Sequence, residues 1–166
     1  LNAAGITDLF DERVDGQFVA DLMFGGGTKF FIRDDRNVAD EFKQAGYQYV
    51  DKLENLERVT RLPALGLFAE KGFPYAIDSK ELPNRLTAMT KAALPLLNRH
   101  SDKGFVVMIE GSQIDWCSHG NDIACAMGEM ADFEETLRLV TEFAKEDGNT
   151  LVVVTADHGT GGLTLG

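Results

Sequence analysis

Two short, continuously apolar runs constrain this chain most. Gly104 to Ile109 reads Gly-Phe-Val-Val-Met-Ile, and Leu151 to Thr155 reads Leu-Val-Val-Val-Thr. Neither alternates polar and apolar residues. Uninterrupted runs of this length suit strands buried on both faces, as in a parallel sheet covered by helices. Between them Ile123, Met127, Met130, Leu137, Val140 and Ala144 recur at helical spacing up to Gly148. Glu129, Asp132, Glu135, Glu142 and Glu146 fall on the opposite face. Strand, helix and strand in that order predict a crossover between neighbouring parallel strands, and an α/β class with a mainly parallel sheet sandwiched by helices.

The rest of the chain fits this reading. Residues 20–24 read as a short strand entering Gly25-Gly26-Gly27, with further short strands over Tyr47–Val50 and within Pro63–Ala69. The triple glycine lacks a following Lys-Ser/Thr pair, so it reads as a tight turn rather than a phosphate loop. Asn37 to Ala45 predicts a helix capped by Asn37 and closed at Gly46. Pro83 to His100 predicts another, with Leu86, Met89, Ala93 and Leu97 inward and Pro95 kinking or shortening its far end. With 166 residues, the chain is expected to form a single domain.

Charge and cysteine usage narrow the function. Sixteen Lys and Arg against 27 Asp and Glu give a net charge of −11. That disfavours binding to a nucleic-acid backbone and suits a protein that gathers cations. No apolar run approaches a membrane span. Leu1 is not a start methionine, and Asp8, Asp11 and Glu12 interrupt the N-terminal segment, so no signal peptide is read there. The expectation is a fragment of a longer chain. Cys117 and Cys125, eight residues apart in a loop and helix, are expected to be free thiols.

Both apolar runs end in polar clusters. The first continues as Glu110-Gly111-Ser112-Gln113-Ile114-Asp115-Trp116-Cys117-Ser118-His119, the second as Ala156-Asp157-His158-Gly159. Two of the three histidines, His119 and His158, lie in these windows, whereas His100 sits at a helix end. Ligands of open α/β sheets bind outside the carboxyl ends of strands. Asp115 and His119, four apart, share one face of a helical turn, and a carboxylate with an imidazole suits zinc. Asp157 and His158 offer the same pair, and Glu110 adds a hard oxygen donor suited to magnesium.

These clusters resemble the metal-binding motifs of alkaline phosphatases. Met108 to Asp115, followed by His119, Asn121 and Asp122, is similar to the central motif of that family. Thr155 to Gly162 is similar to the second. Weaker similarity runs through Leu22–Gly27, Glu41–Tyr47, Leu65–Ala69 and Pro74–Asp78. The resemblance implies a central fragment of a larger catalytic domain. It implies one zinc on Asp115 and His119, a second on Asp157 and His158, and magnesium on Glu110. It also implies hydrolysis of small-molecule phosphate monoesters through a phosphoserine intermediate. The nucleophilic serine, the phosphate-binding arginine and further ligands match nothing in residues 1–166, so no catalytic residue is assigned. Ser112 falls in the wrong motif for the nucleophile. The chain by itself is expected to be inactive. A parent homodimer and a periplasmic or extracellular location are further implications. A phosphomutase or sulfatase core, or a non-catalytic metal-binding module, stands as the alternative.

Overall fold

The computed structural model describes residues 12–79 and 84–164. The class is α/β, built on a parallel three-stranded sheet. The chain divides into two compact units. One comprises residues up to Phe73 together with Ala92–Phe105, the other Pro74–Lys91 together with residues from Val106 onward. Each has its own interior, aromatic and aliphatic in the first, polar and disulfide-linked in the second.

The first unit opens with a two-stranded antiparallel ribbon, β1 (Arg13–Val14) and β2 (Gln17–Phe18). The parallel sheet follows, from β3 (Leu22–Gly25), β4 (Gln48–Val50) and β5 (Ala64–Leu67) in the order β3-β5-β4. All three strands lie where short apolar runs predict them. The central strand β5 is buried throughout, as a strand paired on both edges and covered on both faces must be. Its alternation sends Leu65 and Leu67 into a cluster with Phe18, Phe31, Val38, Ala39, Phe42 and Tyr47. Ala64 goes instead to a second cluster with Val50, Val59 and Leu96. The Phe42 ring stacks on Phe18 at a centroid distance of 3.8 Å and meets the edge of Tyr47 at 4.7 Å.

Gly26 lies where β3 turns into the short helix α1 (Thr28–Phe31). A Cβ there would stand 2.1 Å from the Lys71 carbonyl oxygen, so no side chain fits. Helix α2 (Val38–Gln44) starts at Asn37, whose side chain accepts from the Asp40 N–H at 3.1 Å, and is followed by left-handed Gly46 at φ 93°.

Helix α3 (Arg85–His100) runs through Pro95 to His100 rather than stopping at it. Pro95 is on the solvent side, where water can satisfy the carbonyl its missing N–H leaves free. The expected start at Pro83 lies outside the described residues. Helices α4 (Ser112–His119) and α5 (Ile123–Asp147) follow, α5 ending at left-handed Gly148 with φ 72°. Among the described residues no helix is long and apolar enough to cross a membrane.

Two expectations are corrected here. Gly104–Ile109 and Leu151–Thr155 are not neighbouring strands, and no strand forms over either run. Val106 is 100% exposed, Met108 86% and Leu151 86%. Apolar composition creates a demand for burial but does not supply a partner, and a strand exists only with a ladder beside it. The polar face of α5 is also not uniformly solvated. Glu129 and Asp132 are buried, whereas Ile123 and Met127 are exposed.

Those buried carboxylates are matched by the first turn of α3. Arg85 Nη2 donates to Glu129 Oε1 and Oε2 at 2.9 and 2.8 Å, and the Ala76 N–H donates to Oε1 at 2.7 Å. Asp132 accepts from the backbone N–H groups of Leu86 and Thr87 at 3.0 and 3.1 Å. It thereby serves as a cap supplied from another helix, with its charge on the favourable end of the α3 dipole.

Removing one partner strands the other charge. Glu129→Ala should cost about 3–5 kcal/mol in denaturant unfolding, whereas Arg85→Met combined with Glu129→Leu should cost far less. A second expectation concerns alkaline pH. Burial, aided by the charge of Asp21, pushes the Tyr47 hydroxyl above its ordinary value of 10.0, while it donates to the Ala20 carbonyl at 2.7 Å. A raised native value means that this contribution is complete below pH 10 and is lost as pH rises through the native value. Stability should therefore fall above about pH 10, and less steeply in Tyr47→Phe, as read by thermal unfolding across pH.

Candidate metal centre

The candidate residues lie in the second unit, on a helical hairpin and the turn packed against it. Helix α4 places Asp115 and His119 one turn apart, as their spacing predicts. The chain then reverses in three residues. The Asn121 N–H donates to the Ser118 carbonyl at 3.0 Å and the Asp122 N–H to the Cys117 carbonyl at 3.1 Å, with Asn121 left-handed at φ 51°. Asp122 caps α5 by accepting from the Cys125 N–H at 3.0 Å.

This reversal brings Cys117 and Cys125 to a Cα separation of 5.5 Å, and they form a disulfide. The expectation of free thiols is thus corrected. Eight residues would separate the two sulfurs along one continuous helix, but a turn inside the interval folds the second cysteine back onto the first.

Asp157 and His158 arrive from the other direction. They precede a short 3-10 turn, Thr160–Gly162, within which Gly161 has φ 78°. A Cβ on Gly161 would stand 2.8 Å from the Ser118 carbonyl oxygen, so a glycine here lets the turn pack against the end of α4. The contact seats Thr160 between the two motifs. Its hydroxyl donates to Asp115 Oδ1 at 2.5 Å and lies 2.6 Å from His158 Nδ1.

Four of the five expected ligands are thereby gathered. His119 Nε2 is 3.5 Å from Asp115 Oδ2, His158 Nδ1 is 3.8 Å from Asp115 Oδ1, and His158 Nε2 is 3.4 Å from Asp157 Oδ2. They meet beside α4 and the turn. Glu110, two residues before α4, is exposed and has no hydrogen bond or ion pair to the other four among the described residues. His100 Nδ1 lies 2.8 Å from the Leu96 carbonyl oxygen.

Within each pair the donor spacing is that of two ligands on one zinc. Two ligands at about 2.0–2.1 Å in a tetrahedral shell lie about 3.3–3.4 Å apart. The Asp115–His119 and Asp157–His158 pairs, at 3.5 and 3.4 Å, are close to that edge. In both pairs one carboxylate oxygen is already engaged. Asp115 Oδ1 takes the Thr160 hydroxyl, and Asp157 Oδ1 takes the His158 N–H at 3.1 Å. Oδ2 is the oxygen facing the imidazole in both. No three His, Cys, Asp or Glu groups converge on one metal position among the described residues, and a tetrahedral ion on either pair would need two further ligands. The side chains of Asp157 and His119, 89% and 70% exposed, leave the pairs open to solvent and to an arriving ion.

Thr160 escapes a sequence reading of the site because threonine has no metal-ligand signature. Its one signal is position, two residues beyond His158 and just before Gly161-Gly162.

Comparison with known proteins agrees with the motif resemblance. The family model described as alkaline phosphatase matches residues 1–166. Alkaline phosphatase 3 of Bacillus subtilis is 49% identical over 160 residues, 96% of this chain and 34% of the relative. A cold-active alkaline phosphatase from a psychrophilic Shewanella superposes with a TM-score of 0.82 at 43% identity, over 89% of this chain and 36% of that one. A variant of the TAB5 alkaline phosphatase with Mg bound in its M3 site gives 0.77 at 33% identity, over 86% and 41%. The chain spans about a third of the length of the curated relatives it matches.

The disulfide has a direct check. Denatured without reductant, the chain should show no reactive thiol, and after reduction it should show two, as titrated with a chromogenic disulfide.

Proposed function

The chain belongs to the alkaline phosphatase family, and on that footing we propose that the polypeptide carrying it hydrolyses phosphate monoesters through a site of two zinc ions and a magnesium. Residues 1–166 supply part of one catalytic domain in this reading. Asp115 and His119 hold one zinc, Asp157 and His158 the other, and Glu110 binds magnesium as a hard oxygen donor. The observation that carries the reading is the meeting of two Asp–His pairs, from motifs some forty residues apart, through the single hydroxyl of Thr160. The magnesium of the TAB5 relative supports a magnesium position in this family.

When bound, the zinc ions supply the positive charge that stabilises the attacking and leaving oxygens of an in-line phosphoryl displacement. The residues present here fix the positions of that charge. Helix α4 holds Asp115 and His119 in register, the disulfide ties the end of α4 to the start of α5, and Gly161 admits the turn that delivers His158. We assign the displacement to a phosphoserine route whose serine lies outside residues 1–166. The exposed runs around Val106 and Leu151 support a larger domain, because surface of this kind calls for cover. The disulfide supports an exported, oxidising location, periplasmic or extracellular.

In the intact polypeptide, Asp115→Ala and His158→Ala should each lower turnover of a chromogenic phosphomonoester by roughly 100-fold or more, since even outer-shell partners of a metal cost about 10–100-fold. Zinc content measured by plasma emission should fall in parallel. The 166-residue chain by itself should show no turnover with zinc and magnesium supplied. Unchanged activity and unchanged zinc in both variants would refute the assignment.

A further inference from the structure

We propose that Thr160 is a positioning residue whose hydroxyl sets the tautomer of His158 and orients Asp115, so that both present the correct atom to zinc. The inference rests on the metal-site reading above and adds to it a role for a residue that is not a ligand.

It follows from counting protons. A threonine hydroxyl has one hydrogen and two lone pairs. The ionised Asp115 carboxylate only accepts, so at 2.5 Å from Oδ1 it takes that hydrogen. At 2.6 Å from His158 Nδ1 the hydroxyl has only a lone pair left to offer. Nδ1 must therefore carry a hydrogen and donate it. A neutral imidazole protonated at Nδ1 has its lone pair on Nε2. Nε2 is the nitrogen that faces Asp157 Oδ2, at 3.4 Å. The same hydroxyl holds Asp115 Oδ1, so Oδ2 is the oxygen that faces His119 Nε2, at 3.5 Å. One donor and one acceptor thus prepare one atom in each Asp–His pair.

Main-chain geometry makes the arrangement specific. Thr160 reaches Asp115 because Gly161, at φ 78°, packs the turn within a methyl's breadth of the Ser118 carbonyl. The side chains of Asp115 and His158 are 33% and 53% exposed, so water competes with a mobile donor but not with one fixed on this turn.

Thr160→Val keeps the shape and removes the hydroxyl, whereas Thr160→Ser keeps the hydroxyl. In the intact protein stripped of metal, Zn2+ affinity is measured by competition with a chromogenic chelator. The His158 tautomer is read from 15N shifts of histidine-labelled, metal-free protein, and folding is checked by circular dichroism. Thr160→Val should fold and bind Zn2+ about 10–100-fold more weakly. Thr160→Ser should restore most of that loss. His158 should be protonated at Nδ1 in the wild type and the serine variant, and should lose that preference in the valine variant. Wild-type affinity in Thr160→Val, or Nε2 protonation of His158 in the wild type, would overturn the proposal. Asp157→Ala separates the two readings. If it abolishes tight Zn2+ binding while Thr160→Val is neutral, the metal site stands and the role of Thr160 falls. If Asp157→Ala leaves Zn2+ binding intact, the metal-site reading fails and takes this inference with it.

Discussion

The reversal between α4 and α5 is the constraint on which the candidate site depends. In three residues the backbone turns back on itself, using a left-handed asparagine, a carboxylate cap and a disulfide. Without that turn α4 would have no fixed end, and His119, its last residue, would have no fixed direction. The 3-10 turn bearing Thr160 packs on this same end of α4, with its glycine against the Ser118 carbonyl. The geometry of both Asp–His pairs is thus referred to one short piece of main chain. Closing a loop by hydrogen bonds and a covalent link costs less entropy than ordering the same atoms separately, which suits a site assembled from two motifs.

Electrostatics in the second unit follow a consistent pattern. Carboxylates are moved off the surface only where backbone or guanidinium donors wait for them. Glu129 meets Arg85 and the Ala76 N–H, and Asp132 meets the orphan N–H groups of α3. In the two Asp–His pairs the carboxylates are differently placed. Each has one oxygen engaged by a donor and the other turned toward an imidazole, which satisfies half of the charge. A cation completes such an arrangement more naturally than any neutral group does. The net charge of −11 is therefore distributed unevenly, part of it neutralised inside the fold by Arg85 and by backbone donors.

Much of the local structure was legible in sequence because its causes are local. Asn37 and Gly46 bracket α2 by capping chemistry, and β3, β4 and β5 fall on short apolar runs. Asp115 and His119 share a helical face through spacing alone. What misled was hydrophobicity taken as a sign of pairing. The runs at Gly104–Ile109 and Leu151–Thr155 carry more strand-like sequence than β3 or β4, yet neither has a ladder among the described residues. Periodicity misled in α5 as well, since Glu129 and Asp132 point inward where Arg85 and the α3 terminus reward them.

By itself the sequence determined the chemistry available: two Asp–His pairs, a nearby glutamate, the helix that sets one pair in register and the motifs that identify the family. These depend on residue type and on spacings of about one helical turn or less, which chain order specifies directly. Tertiary structure decided the juxtapositions. It joined Cys117 to Cys125, brought Thr160 to Asp115 across 45 residues, and chose which carboxylate oxygen faces each imidazole. The physical reason is that such contacts are selected by the path of the backbone through turns, where one left-handed residue or one absent Cβ redirects everything after it.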